Sequence, residues 1–258
     1  MRSARLLARQ VGYENKAFWR NPAAAFFTVT LPIVLLVTLT SVFDDTSTLP
    51  GGLEVDISTY YVPAALTFAV FSTCYTNVAM SVTMSRDAGT LKRVRGTPLP
   101  VAVYLLGKLV HSVAVMLGLV VVTVAFGWVA YDVSVPADTA VPFVVTVALG
   151  AATFCALGLA ITSAIPNAAA APAVMNALAL PVLFISGAFV PTDDGPLWMR
   201  RLANVFPVRH FIDSLFAGYG LDPRRAGGWN VGGLLAIAVW GAVGVAVVAR
   251  WFRWTSRR

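Results

Sequence analysis

Arg86-Asp87-Ala88-Gly89-Thr90-Leu91-Lys92-Arg93-Val94-Arg95-Gly96-Thr97-Pro98-Leu99-Pro100 is a polar, basic island set between two long apolar runs. Its upstream neighbour is apolar from Tyr60 to Ser85, its downstream neighbour from Val101 to Val129. Each run is long enough to cross roughly 30 Å of hydrocarbon, which takes about 20 residues as helix. The island is therefore a turn between two membrane crossings. Its glycines and its Thr97-Pro98 stop predict a small folded element that a soluble partner can grip.

Working outward, the same alternation repeats along the whole chain. Of its 258 residues, 58% are hydrophobic and only 12% charged, against about 25% charged in a soluble domain. Lipid must therefore solvate much of the surface. The runs give an all-α membrane protein with six transmembrane helices at Ala23–Phe43, Tyr60–Ser85, Val101–Val129, Val141–Ser163, Ala171–Val190 and Val231–Ala249. The third is long enough to tilt. Pro32, Pro63 and Pro181 fall inside crossings, where neighbouring helices can satisfy the freed carbonyls.

Orientation follows from charge. The N-terminus, the 86–108 region and the C-terminal tail share one side and carry 14 of the 19 Lys and Arg residues, with Glu14 and Asp87 as their only acids. The other side carries five cations and ten acids, among them Asp44-Asp45 and Asp193-Asp194. The cation bias predicts that both termini are cytoplasmic. The net charge of +7 thus reflects topology and implies no nucleic-acid partner.

Residues 2–20 are too charged to cross. At about 100° per residue, Arg2, Arg5, Arg9, Lys16 and Arg20 share one narrow arc, with Leu7, Val11 and Phe18 opposite. That pattern predicts an amphipathic helix lying in the interface, with Trp19 in the aromatic belt. It serves as an anchor against membrane lipid, and a contact with a soluble partner is compatible with that role.

Residues 191–230 read as neither crossing nor ordinary loop. Asp193-Asp194-Gly195-Pro196 offers one helix start and Pro207 another, with Arg209 and Asp213 spaced i,i+4. Two short re-entrant helices between the fifth and sixth crossings fit, with a plain outer loop as the alternative. The expected organisation is one domain over 1–258: interfacial helix 1–22, crossings one to five over 23–190, outer re-entrant helices 191–230, crossing six 231–249 and tail 250–258.

Ile185-Ser186-Gly187-Ala188-Phe189-Val190-Pro191, then Pro196-Leu197-Trp198, then Asn204-Val205-Phe206-Pro207-Val208-Arg209-His210-Phe211-Ile212-Asp213 resembles the signature of ABC type-2 exporter permeases. The chain is most similar to the daunorubicin-resistance type of these transmembrane subunits, and the resemblance covers nearly its whole length. It implies that Arg86, Asp87, Gly89, Thr90, Leu91, Lys92, Arg93, Arg95, Thr97 and Pro98 couple to an ATP-binding subunit. The family more often has Glu where Asp87 stands. Asp87 can also neutralise Arg86, or cap the helix running to Leu91, whose N-terminus favours an anion.

The resemblance further implies two ATP-binding subunits carrying ATP and Mg, and a second permease subunit, the same or different. Substrate-path residues expected from crossings two and five are Phe71, Tyr75, Asn77 and Asn176, although the asparagines can equally be interhelical hydrogen-bonding glue. The outer motif is Ser186, Gly187, Phe189 and Pro191, and Gly187 can simply allow close helix packing.

This chain has no Gly-x-x-x-x-Gly-Lys-Ser/Thr loop and no Gly-x-Ser-x-Gly elbow, so no catalytic residue is assigned and no cofactor is expected on it. His111 and His210 form no metal-ligand spacing with Cys74 and Cys155, which read as packing thiols. The expected function is the permease subunit of an exporter in the bacterial cytoplasmic membrane, moving an amphipathic drug-like molecule or a lipid. A lipid-linked polysaccharide is the alternative cargo. An ion-coupled carrier is the alternative class, but it predicts an intramembrane titratable group, and the crossings show none at their centres.

Overall fold

The computed structural model describes residues 2–43, 46–48, 54–96, 99–189, 196–222 and 224–251. Helix α1 (Arg2–Trp19) is the interfacial helix, with Arg5, Arg9 and Lys16 exposed and Leu7, Val11 and Phe18 half-buried. Helix α2 (Pro22–Val42) follows. A two-stranded antiparallel hairpin, β1 (Thr46–Thr48) with β2 (Glu54–Asp56), pairs Ser47 with Val55. The sequence reading gave no strand here.

The second crossing is continuous but not uniform. Helix α3 (Ile57–Phe71) passes through a π-helical turn at Ser72–Thr76 into α4 (Asn77–Asp87). Helix α5 (Thr90–Arg95) lies between α4 and α6 (Val101–Tyr131). Helix α6 has 31 residues, about 46 Å at 1.5 Å per residue, so it tilts or projects beyond the hydrocarbon. Helix α7 (Ala140–Ile161) and α8 (Ala171–Ile185) lead to the short α9 (Leu197–Ala203) and α10 (Pro207–Gly218), and α11 (Val231–Trp251) completes the described chain.

Among the described residues, five segments are long and apolar enough to cross a membrane: Ala25–Val42, Ile57–Asp87, Val103–Tyr131, Ala140–Ile161 and Val231–Trp251. The expected fifth crossing, Ala171–Val190, differs. Its helix stops at Ile185 after 15 residues, roughly 22 Å. The cause is local: Gly187 takes φ +89°, a left-handed value that glycine adopts without strain. The glycine therefore ends the helix in a turn. Both short outer helices form where their prolines predict, with Pro196 before α9 and Pro207 opening α10.

Small residues bring the crossings together, as expected where lipid supplies no hydrophobic drive between helices. A Cβ on Gly241 would stand 2.7 Å from Thr153 Oγ1, and one on Gly244 3.1 Å from the Ala156 backbone, so α11 lies directly on α7. Phe211 of α10 is fully buried against Gly150 of α7 and Phe154. Outward, Phe26, Phe27, Val121, Val129, Leu235 and Val239 are exposed, as lipid-facing side chains should be.

Gly158 makes the tightest backbone approach. A Cβ there would sit 2.7 Å from the Tyr75 carbonyl and 3.0 Å from that of Cys74, both in the π-helical turn. These are backbone atoms and cannot rotate away. Gly158→Ala is expected to cost roughly 1–3 kcal/mol, the range of core overpacking. Gly118, with open space around it, is the control, because Ala there should gain up to about 1 kcal/mol of helix propensity. Thermal unfolding in detergent compares the two, and equal melting temperatures would mean that the π-helical turn yields easily.

Candidate functional site

The basic island folds around one buried cation. Arg86, at the end of α4, is 4% exposed. Its Nη1 donates to the Thr162 carbonyl at 2.7 Å and its Nη2 to the Ile165 carbonyl at 2.6 Å. Those carbonyls end α7 and begin the 163–170 connection. The neighbouring Asp87 carboxylate accepts from the Ala168 backbone N–H. Two adjacent residues thus hold the two connections on the basic side together, one through carbonyls and one through an amide. Asp87 binds this second connection instead of capping α5.

Helix α5 then turns the remaining residues outward. Gly89 takes φ +70°, which permits the sharp change of direction between α4 and α5. Leu91 is fully buried and anchors the short helix. Thr90 is half-buried, whereas Lys92 and Arg93 are exposed. Arg93 makes a 3.5 Å contact to the Ala88 carbonyl, too long to hold it firmly. Arg95 lies in the last turn of α5. Thr97, Pro98 and Pro191 lie outside the described residues.

Beside this element stands an ion pair that the sequence reading missed. Lys108, one to two turns inside α6, is 8% exposed. It bonds Glu14 of α1 at 3.0 Å and Ser81 of α4 at 2.8 Å. Glu14 also accepts from Gln10 Nε2 at 2.9 Å. Gln10 packs where a Cβ on Gly107 would sit, so α1 rests directly on α6. By sequence Lys108 belongs with the loop charges, yet it is buried within α6. The signal was available: Glu14 falls on the apolar arc of α1 with Leu7 and Val11. An acid on a buried helix face calls for a buried cation.

The expected path residues separate into three places. Phe71 and Tyr75 stack at 4.8 Å between ring centres and line one apolar cavity of about 530 Å³ with Phe154, Pro181, Phe206 and Trp240. Asn77 lines a different, more polar cleft with Glu14, Ser81 and Lys108. Asn176 is exposed on α8 and lines neither.

On the opposite side, α3 holds the outer motif. Tyr60 Oη donates to the Gly187 carbonyl at 2.7 Å and Tyr61 Oη to that of Phe189 at 3.1 Å. Ser186 Oγ donates back to Leu183 at 2.8 Å, and Arg209 pairs with Asp213 at 3.2 Å. The motif is thus a shaped turn clasped by two tyrosines, with α10 beside it.

Residues 9–219 fit the family described as ABC-2 type transporter. The chain belongs to that family. Among curated ABC-2 relatives it is similar to the probable multidrug ABC transporter permease YbhR of Escherichia coli strain K12 and to its counterpart in Escherichia coli O157:H7. Each is 25% identical over 177 residues, which cover 69% of this chain and 48% of the relative. The chain therefore spans about half the length of these ABC-2 relatives.

Proposed function

We propose that this ABC-2 chain is the transmembrane subunit of an ATP-driven exporter. In this reading ATP and Mg are bound and hydrolysed on a separate ATP-binding subunit, two copies of which dock beneath two permease subunits. The basic side faces the cytoplasm of a bacterial cell, as the cation bias requires. The observation that carries the reading is the exposed Lys92 and Arg93 on α5, which follows directly on the end of α4, where Arg86 and Asp87 bind the end of α7 and the 163–170 connection. A push on α5 would reach both crossings at once. Coupling then requires that the ATP-binding subunit contact α5 differently in its open and closed states.

The cargo favoured is an amphipathic drug-like molecule or lipid. The apolar cavity has the volume of a small-molecule site, and its aromatic walls offer no charge. The multidrug designation of the two relatives points the same way.

The test is co-expression with a candidate ATP-binding subunit, using Lys92→Glu and Arg93→Glu together. Both side chains are exposed, so folding should be unchanged. Like-charge contacts across an interface slow and weaken association, and co-purification should fall by about tenfold or more. Unaltered co-purification would remove α5 from the interface. Transport without any ATPase would favour the ion-coupled alternative.

A further inference from the structure

We propose that the cleft between α1, α2, α4 and α6 binds the head group of a lipid that carries both a phosphate and an ammonium. The cleft holds about 500 Å³. It begins at the basic side, where Glu14, Ser85 and Lys108 line it, and runs inward to Thr73 and Val115. Thr73 stands 14 residues before Asp87, roughly 20 Å along the helix. The cleft is therefore a polar path from the interface to mid-membrane depth, where water is scarce and polar groups need partners.

One such group lacks a partner. The Thr73 side chain is 2% exposed, and its hydroxyl finds no hydrogen-bond partner among the described residues. The usual back-bond of a helical Thr to a carbonyl one turn earlier is altered in the π-helical turn, where Ser72 Oγ takes the Ala69 carbonyl at 3.2 Å. A buried hydroxyl left unsatisfied is costly. A ligand oxygen reaching the inner end of the cleft would satisfy it.

Charge selects the class of ligand. Beside the His111 imidazole, the cleft holds one carboxylate and one ammonium, Glu14 and Lys108, bonded to each other. A purely anionic head group would draw Lys108 away and leave Glu14 buried without its cation. A purely cationic one would do the reverse. Either half-broken buried pair is strongly unfavourable. A head group with both charges replaces the pair one for one, phosphate to Lys108 and ammonium to Glu14. Lys108 then keeps its bond to Ser81 and has two N–H donors for the phosphate. Met80, Met84 and Val115 also line the cleft and give acyl chains an apolar surface.

This inference does not depend on what the protein exports, and its test needs neither nucleotide nor transport. The full chain is exchanged into mixed vesicles of phosphatidylethanolamine and phosphatidylglycerol, and lipid retained after detergent extraction is measured by native mass spectrometry. Phosphatidylethanolamine should be retained over phosphatidylglycerol by about tenfold. Thr73→Val should weaken that retention about fivefold, the loss of one hydrogen bond, while leaving the melting temperature unchanged or raised. The double variant Glu14→Gln with Lys108→Met should abolish the preference. Soluble glycerophosphoethanolamine at millimolar concentration should not displace the lipid, because it lacks the chains. Equal retention of both lipids, a preference for phosphatidylglycerol, an unaffected Thr73→Val variant, or displacement by the soluble head group would each overturn the assignment.

Discussion

Arg86→Met is expected to destabilise the protein by about 3–5 kcal/mol and to release the two basic-side connections from one another. The estimate comes from the two bonds. Each is a charge-assisted hydrogen bond to a backbone carbonyl, worth about 1.5–3 kcal/mol, at 2.7 and 2.6 Å. Methionine keeps the aliphatic volume but leaves the Thr162 and Ile165 carbonyls without that donor. Relief from burying a charge offsets part of the loss, which is why the upper end of the sum is not expected.

Arg86→Lys should fall between the two. An ammonium is a compact point donor and cannot span two carbonyls as a planar fork does. Thermal unfolding of the detergent-solubilised chain measures the stability term, and ATPase activity of the assembled complex measures the coupling term. Both should fall together. If Arg86→Met melts like the unaltered protein yet loses ATPase activity, Arg86 touches the partner directly and the internal brace is wrong.

What the sequence revealed and what it hid divide along one physical line. The apolar runs of crossings one to four and six, the cation arc of α1, the Gly89 turn and the prolines at the starts of α9 and α10 are local signals, and each appears in the structure where the residues predict it. The π-helical turn at Ser72–Thr76 has no local signature. It sits against Gly158, a residue more than 80 positions away. The same holds for Arg86. As one of several cations in a basic island it looked available to a partner, and only the placement of the 163–170 connection makes it internal. Asn77 and Asn176 were grouped by helix number, but faces rather than helices decide what lines a cavity. Crossing five reads as continuing to Val190 because no charge interrupts it, while the backbone turns at Gly187.

Lys108→Met alone should cost about 3–5 kcal/mol, because it leaves the Glu14 carboxylate buried without its cation. The double variant with Glu14→Gln should recover most of that loss. Glutamine still accepts from or donates to its neighbours, no net charge is stranded, and methionine fills the volume of the lysine stem. The pair is 10% and 13% exposed at its two side chains, so the coupling should greatly exceed the value of about 1 kcal/mol or less typical of surface pairs. A double-mutant cycle reads that difference directly. The structural consequence is separable from the energetic one. Since Lys108 joins α1 to α6 and to Ser81 of α4, the single variant should loosen α1 and expose the junction at Arg20 to trypsin. The double variant should keep α1 seated through Gln10 on Gly107. If the double variant is as unstable as Lys108→Met alone, the lysine acts through Ser81 and packing rather than through charge. The link between the interfacial helix and the element at 86–98 would then run through α4.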